Sequence, residues 1–140
     1  MKRAWWPGRR LGLAALCSLA LGGLGCNQYS YLQIHVTLDD VAFSTPRRAM
    51  INICHLYISG ATKYDQVLNQ RCSPPDSNDV GVFDFSTFVD SGTVNFKLDL
   101  FKGPESDATK IGEGTTSLAI SSGNTAKGDL KVMYTGMDPL

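Results

Sequence analysis

Thr93-Val94-Asn95-Phe96-Lys97-Leu98-Asp99-Leu100-Phe101 decides the fold class of this chain. Val94, Phe96, Leu98 and Leu100 fall on one parity, and Asn95, Lys97 and Asp99 on the other. Successive side chains of a strand point to opposite faces. Strict alternation therefore predicts a strand with one face on a core and the other in water. Asp90-Ser91-Gly92 predicts a turn before it, and Gly103-Pro104 through Asp107 a turn or loop after it.

The same pattern recurs on either side. Leu32, Ile34, Val36 and Leu38 alternate with Gln33, His35 and Thr37, which predicts another half-buried strand. Residues 48–58 are apolar on both parities, the mark of a strand central in its sheet. Residues 80–89 read as an aromatic-rich strand. Phe83 and Phe85 share a parity that Phe88 does not, which predicts a bulge or bend near Ser86. Residues 111–120 begin irregularly at Gly112 and Gly114 and become a strand toward Ile120. Ser121-Ser122-Gly123-Asn124 is a turn signal, and Leu130, Val132 and Tyr134 share one face of the last strand.

Thr62 to Arg71 admits two readings. Thr62 and Asp65 suit a helix-capping box ahead of Val67 and Leu68, and the same residues suit a return strand. The cysteines favour the strand. Cys54 and Cys72 are symmetric about Lys63, so a hairpin turning there sets them opposite each other, within disulfide range. The expected fold is all-β: a two-sheet antiparallel β-sandwich of about seven strands over residues 31–136, following a helical signal peptide.

That leader occupies residues 1–25. Lys2, Arg3, Arg9 and Arg10 form a basic head, and the apolar run Leu11 to Leu24 is shorter than the roughly 20 residues of a membrane span. Leu21-Gly22-Gly23-Leu24-Gly25-Cys26 resembles the lipobox of bacterial lipoproteins. The resemblance implies cleavage before Cys26, a diacylglycerol on its sulfur and an acylated amino group. Gly25 fits the small residue required before the cysteine, and Gly23 departs from the leucine the family prefers. Cysteine arithmetic agrees. Lipidation of Cys26 leaves Cys54 and Cys72 as one pair, whereas an unmodified secreted chain keeps an odd thiol. Residues 26–30 then form the lipidated cysteine and a short tether. The strands Thr93 to Phe101 and Ser117 to Tyr134 weakly resemble immunoglobulin-like or transthyretin-like domains of bacterial envelope proteins. However, the buried Trp and widely spaced cysteines of true immunoglobulin domains are missing after Cys26.

Charge narrows the range of partners. After residue 25 the chain keeps nine basic and thirteen acidic residues, a formal charge of −4. A nucleic-acid binder needs a basic stripe, so no nucleic-acid partner is expected. Arg47-Arg48 reads as a solvated approach to a strand.

Candidates for chemistry are few. His35 reads as an exposed strand residue. Cys54, His55 and Cys72 lack the close ligand pairs of a zinc site, and a disulfide suits an oxidising compartment better. Asp76, Asn78 and Asp79 lack the glycine and distant glutamate of a calcium loop, and with Asp39-Asp40 they read as solvated turns. The sequence has no Gly-x-Ser-x-Gly elbow, and Gly112 and Gly114 are a lone Gly-x-Gly. No catalytic residue, metal or cofactor is expected.

The expected role is that of a membrane-anchored extracytoplasmic lipoprotein, a binding or structural module of the bacterial envelope. Its partners would be the membrane, through the lipid, and an envelope protein or a glycan. A glycan would call for exposed rings such as Tyr57 and Tyr64. Asn27 is not the aspartate that retains enteric lipoproteins in the inner membrane, which favours the outer membrane. The alternative is a small secreted hydrolase or inhibitor that uses strand-end loops around His35 or His55.

Overall fold

The computed structural model describes residues 30–61, 66–87, 91–121 and 123–137. Among these residues there are seven strands: β1 (Ser30–Leu38), β2 (Ile53–Gly60), β3 (Gln66–Arg71), β4 (Asp79–Thr87), β5 (Ser91–Lys102), β6 (Thr109–Ser121) and β7 (Thr125–Tyr134). The helix α1 (Thr45–Ala49) and a 3-10 turn, Glu105–Asp107, complete the elements.

All seven strands belong to one sheet, in the order β3-β2-β5-β6-β7-β1-β4. Two antiparallel sheets were expected, and two features differ. The β1–β7 pair is parallel, with Tyr31 opposite Thr125 and Leu38 opposite Val132. The two halves are also continuous, because β7 bonds to β6 on one side and to β1 on the other. The sheet curls instead of splitting. Phe85 on the edge strand β4 meets Phe96 on β5 across the interior, ring centroids 5.3 Å apart, although three strands separate them in the sheet.

Curling places one parity of every long strand inside. Leu32, Ile34, Val36 and Leu38 of β1, Val94, Phe96, Leu98 and Leu100 of β5, and Leu130 and Val132 of β7 are buried together, as the alternation predicts. Burial of apolar area at about 25 cal/mol per Å² is the main force holding such a sheet closed. Phe43 and Ile51, from the connection between β1 and β2, are fully buried and stop one end of the curl. Phe43 meets Tyr134 edge-on at 5.4 Å.

The residues expected to begin the second strand at Arg48 form α1 instead. Pro46 stands in its first turn, where a missing N–H leaves nothing unsatisfied and a fixed φ favours the helix. The strand starts at Ile53.

The bulge expected near Ser86 lies at the other end of β4. Val36 faces Gly81 and Thr37 faces Asp79, so the extra residue sits at Val80. Gly81 there takes φ +122°, a backbone state that strains a residue with a Cβ. Phe88 is outside the described residues. A second bulge gives β6 its irregular start: Leu100 faces Gly112 and Phe101 faces Lys110, leaving Ile111 extra and buried.

Residues 66–71 form the return strand, and the disulfide Cys54–Cys72 is present. The register differs from the one expected. Cys54 faces Gln70, while the Cys72 N–H donates to the Asn52 carbonyl at 3.0 Å. The bond therefore runs diagonally from β2 to the residue just past β3, over a Cα–Cα distance of 5.9 Å. Lys63 lies outside the described residues.

Candidate functional site

The outer face of β1 carries the best-formed polar cluster. Its centre is His35, on the outward parity of a strand flanked by β4 and β7. Register brings a carboxylate to each side of the ring. Nε2 lies 2.9 Å from Asp79 Oδ1 on β4, and Nδ1 lies 3.2 Å from Asp129 Oδ1 on β7. Two residues back, Gln33 donates from Nε2 to Asp84 Oδ1 at 3.0 Å. The hydrogen bond to Asp79 is the main cause of a His35 pKa raised above the ordinary imidazole value, helped by Asp129 and opposed by partial desolvation. A shallow concavity beside the ring is lined by Gln33, Val82, Lys127 and Gly128.

This geometry suits an imidazolium that joins three strands. A general base in nucleophilic catalysis keeps one ring nitrogen for the nucleophile's proton and orients the other with a carboxylate. At His35 carboxylates occupy both nitrogens.

A second cluster lies on the outer face of β2, β5 and β6. Asp99 is directly opposite His55 on one side and Glu113 on the other. Facing carboxylates repel, and two lysines offset this. Lys110 Nζ reaches Asp99 Oδ1 at 3.0 Å and also bonds Glu113. Lys97 Nζ lies 3.3 Å from Asp99 Oδ2 and 3.6 Å from Glu113 Oε2. The bond to Glu113 is the main cause of a raised Lys110 pKa, and the same bond lowers that of Glu113. Asp99 is buried despite its outward parity, beneath these neighbours. Beside them His55 packs on Phe101 at 4.6 Å between centroids, and its Nδ1 lies 3.5 Å from the Tyr57 hydroxyl. Lys97 stands 5.6 Å over the Tyr57 ring. The result is a half-exposed aromatic strip edged by paired charges.

The third group is at the end of the curl stopped by Phe43. Asp39 Oδ1 accepts from the N–H groups of Val41 and Ala42 at 2.9 and 3.2 Å, which turns the chain out of β1. The Ala42 bond, with help from Lys131, holds the Asp39 carboxyl below its ordinary pKa. Arg48 Nη1 donates to the Phe43 carbonyl at 3.0 Å and to Asn78 Oδ1 at 2.6 Å. Asn78 Nδ2 in turn donates to Asp40 Oδ1 at 2.7 Å. The guanidinium carbon of Arg47 lies over the Tyr134 ring, 4.1 Å from its centre. The arginine pair, expected to be solvated, therefore pins α1 and the loop before β4 over the core. Its sequence signal was the proline that starts α1.

The calcium-like trio does not converge. Asn78 is taken up by Arg48 and Asp40, and Asp79 by His35. Among the described residues no group of three or more His, Cys, Asp or Glu is arranged to hold a metal ion. Cys26 and Tyr64 lie outside the described residues. No family model matches the chain, and neither a curated protein nor a solved structure matches it.

Proposed function

We propose that the chain is a membrane-anchored extracytoplasmic lipoprotein, a binding or structural module of a bacterial envelope. One observation carries the reading: Cys26 follows Leu21 to Gly25 behind a basic head and a short apolar run. The disulfide supports it. Cys54 and Cys72 take each other, which leaves Cys26 as the one cysteine after the leader without a partner in the same chain. One thioether-linked diacylglycerol and an amide-linked acyl chain together give durable anchoring, since each buried methylene adds about 0.8 kcal/mol. Asn27 favours the outer membrane. On the same reading the curled sheet serves as a two-layer sandwich, and its outer faces and strand-end loops meet the partner. A glycan partner suits the strip of His55, Tyr57 and Phe101, where rings and paired charges lie side by side.

Metabolic labelling with an alkyne fatty acid tests the anchor. The full chain takes up label, and Cys26→Ala abolishes it and releases the protein from the membrane fraction. Label that survives Cys26→Ala, or a wild-type chain that stays unlabelled, overturns the reading.

A further inference from the structure

β4 ends the order of strands on one side of the sheet, and among the described residues its strand partner is β1 alone. Its neighbour fixes where its backbone groups point. The N–H and C=O groups of successive strand residues turn to alternate sides. The N–H groups of Tyr31 and Asp39 donate to the carbonyls of Asn124 and Val132, on the β7 side, and that of Leu38 donates to Asn78, on the β4 side. Leu32, Ile34 and Val36 share the parity of Leu38, so their backbone groups serve the pairing with β4. Phe85, Phe83 and Gly81 lie opposite them and bond back. The N–H and C=O groups of Val82, Asp84 and Ser86 therefore point away from β1, and all three residues are exposed.

The register is regular from Thr87 to Gly81, because the bulge sits at Val80. Over that stretch the edge lacks the usual guards. It has no proline, no lysine and a single charge, Asp84, whose carboxylate accepts from Gln33. A regular edge of this kind, with outward backbone groups between Val82, Phe83 and Phe85, is a template for one more strand.

We infer that β4 pairs antiparallel with β4 of a second copy, which joins two curled sheets into one. Its sequence is self-complementary in one register. The outward backbone groups belong to even-numbered residues, so hydrogen bonds across the edge require even paired with even. Centred on Asp84, the pairing sets two carboxylates directly opposite, which is destabilising. Centred on Val82 or earlier, it runs Asp84 into the bulge or beyond it. Centred on Phe85 or later, it leaves the start of β4 unpaired. Centred on Phe83, the midpoint of β4, it uses the whole strand. Val82 then exchanges hydrogen bonds with Asp84 of the second copy, and Asp84 with that copy's Val82. Neither Asp84 faces its own kind. Gly81, with open space where a side chain would stand, lies opposite Phe85, the aromatic cover that suits an edge glycine. The same patch serves both copies, so the contact closes at a dimer. It does not depend on the lipid anchor.

Sedimentation velocity of the full-length chain in a non-ionic detergent, over a range of concentrations, should show a monomer–dimer equilibrium. Asp84→Pro removes one outward N–H without touching a bond to β1, and edge strands tolerate proline there. This variant should keep the cooperative thermal transition and weaken the dimer at least about tenfold. Cross-linking reads the register. Val82→Cys and Asp84→Cys, both at exposed positions, are oxidised separately and as a mixture. Val82 and Asp84 of the second copy stand about 5.5 Å apart at Cα, within disulfide range, whereas each residue and its own copy are diagonal, at roughly 7–8 Å. The mixture should yield at least about threefold more covalent dimer than either variant alone. A monomer at every concentration overturns the pairing and leaves the edge to a strand of another protein. A dimer that survives in folded Asp84→Pro, or a mixture that cross-links no better than the single variants, overturns it as well. Should Asp84→Pro fail to fold, the cross-linking decides.

Discussion

His35 draws together three strands that are far apart in the chain. Asp79 is 44 residues away and Asp129 is 94 away, and each carboxylate has its own ring nitrogen. Asp84 on β4 and Lys127 and Lys131 on β7 share that outer face, while Gln33 and Thr37 flank His35 on its own strand. The folded pKa of His35 is raised above the unfolded value. Its stabilising contribution is therefore fully present below about pH 6.5 and is lost as pH rises through the folded value. The ring is 39% exposed and solvent screens the pair, so the effect is about 0.5 kcal/mol. Urea midpoints of the wild type and of His35→Gln should differ more at pH 5.5 than at pH 8.5. A gap independent of pH contradicts this account. Parity in β1 placed His35 on the outer face from sequence alone. Its partners were not legible, because they depend on which strands lie beside β1 and in which register. No local pattern carries either fact.

At the scale of elements, β3 is an edge strand held by β2 alone, and the diagonal disulfide is its second hold. Joining residues 54 and 72 adds about 3 kcal/mol on the chain-entropy model. The double variant Cys54→Ala/Cys72→Ala should lose roughly that much stability. Amide hydrogen exchange should show β3 opening first, ahead of β5 and β6. Uniform loss of protection across the sheet would mean that the bond acts on the unfolded chain alone. The pairing and the hairpin were both legible from two cysteines and a plausible turn. The register was not, because a diagonal bond and a direct one have nearly the same span. Gly112 and Gly114 show another limit. In sequence they are a lone Gly-x-Gly without the rest of a phosphate-loop fingerprint, and in the fold they make room for close packing. A Cβ at Gly114 would stand 2.6 Å from the backbone oxygen of Lys131, and one at Gly112 would stand 2.8 Å from the Phe43 ring. β6 runs close beside β7 there, a use of glycine that shows only once the neighbouring strand is known.

For the whole molecule, β7 is the strand on which the sheet depends. It is the shared neighbour of β6 and β1, so without it the sheet divides into β3-β2-β5-β6 and β1-β4. A chain ending at Asn124 should lose the sharp thermal transition and the near-ultraviolet circular dichroism of packed aromatic rings. A retained cooperative transition would show that the halves stand apart. Alternation identified β1, β5 and β7, because one buried parity is a local property. It did not distinguish one curled sheet from two, since that rests on a single pairing between the first strand and the last. The same pairing governs the timing of folding. Tyr31 must find Thr125, and ribosomes add roughly 5–20 residues per second, so β1 waits about 5–20 s for its parallel neighbour to be made. Such high contact order slows folding further. Until β7 is made, β1 can pair on one edge only, with β4, and Leu32, Ile34, Val36 and Leu38 stay a sticky apolar ribbon that a chaperone would cover.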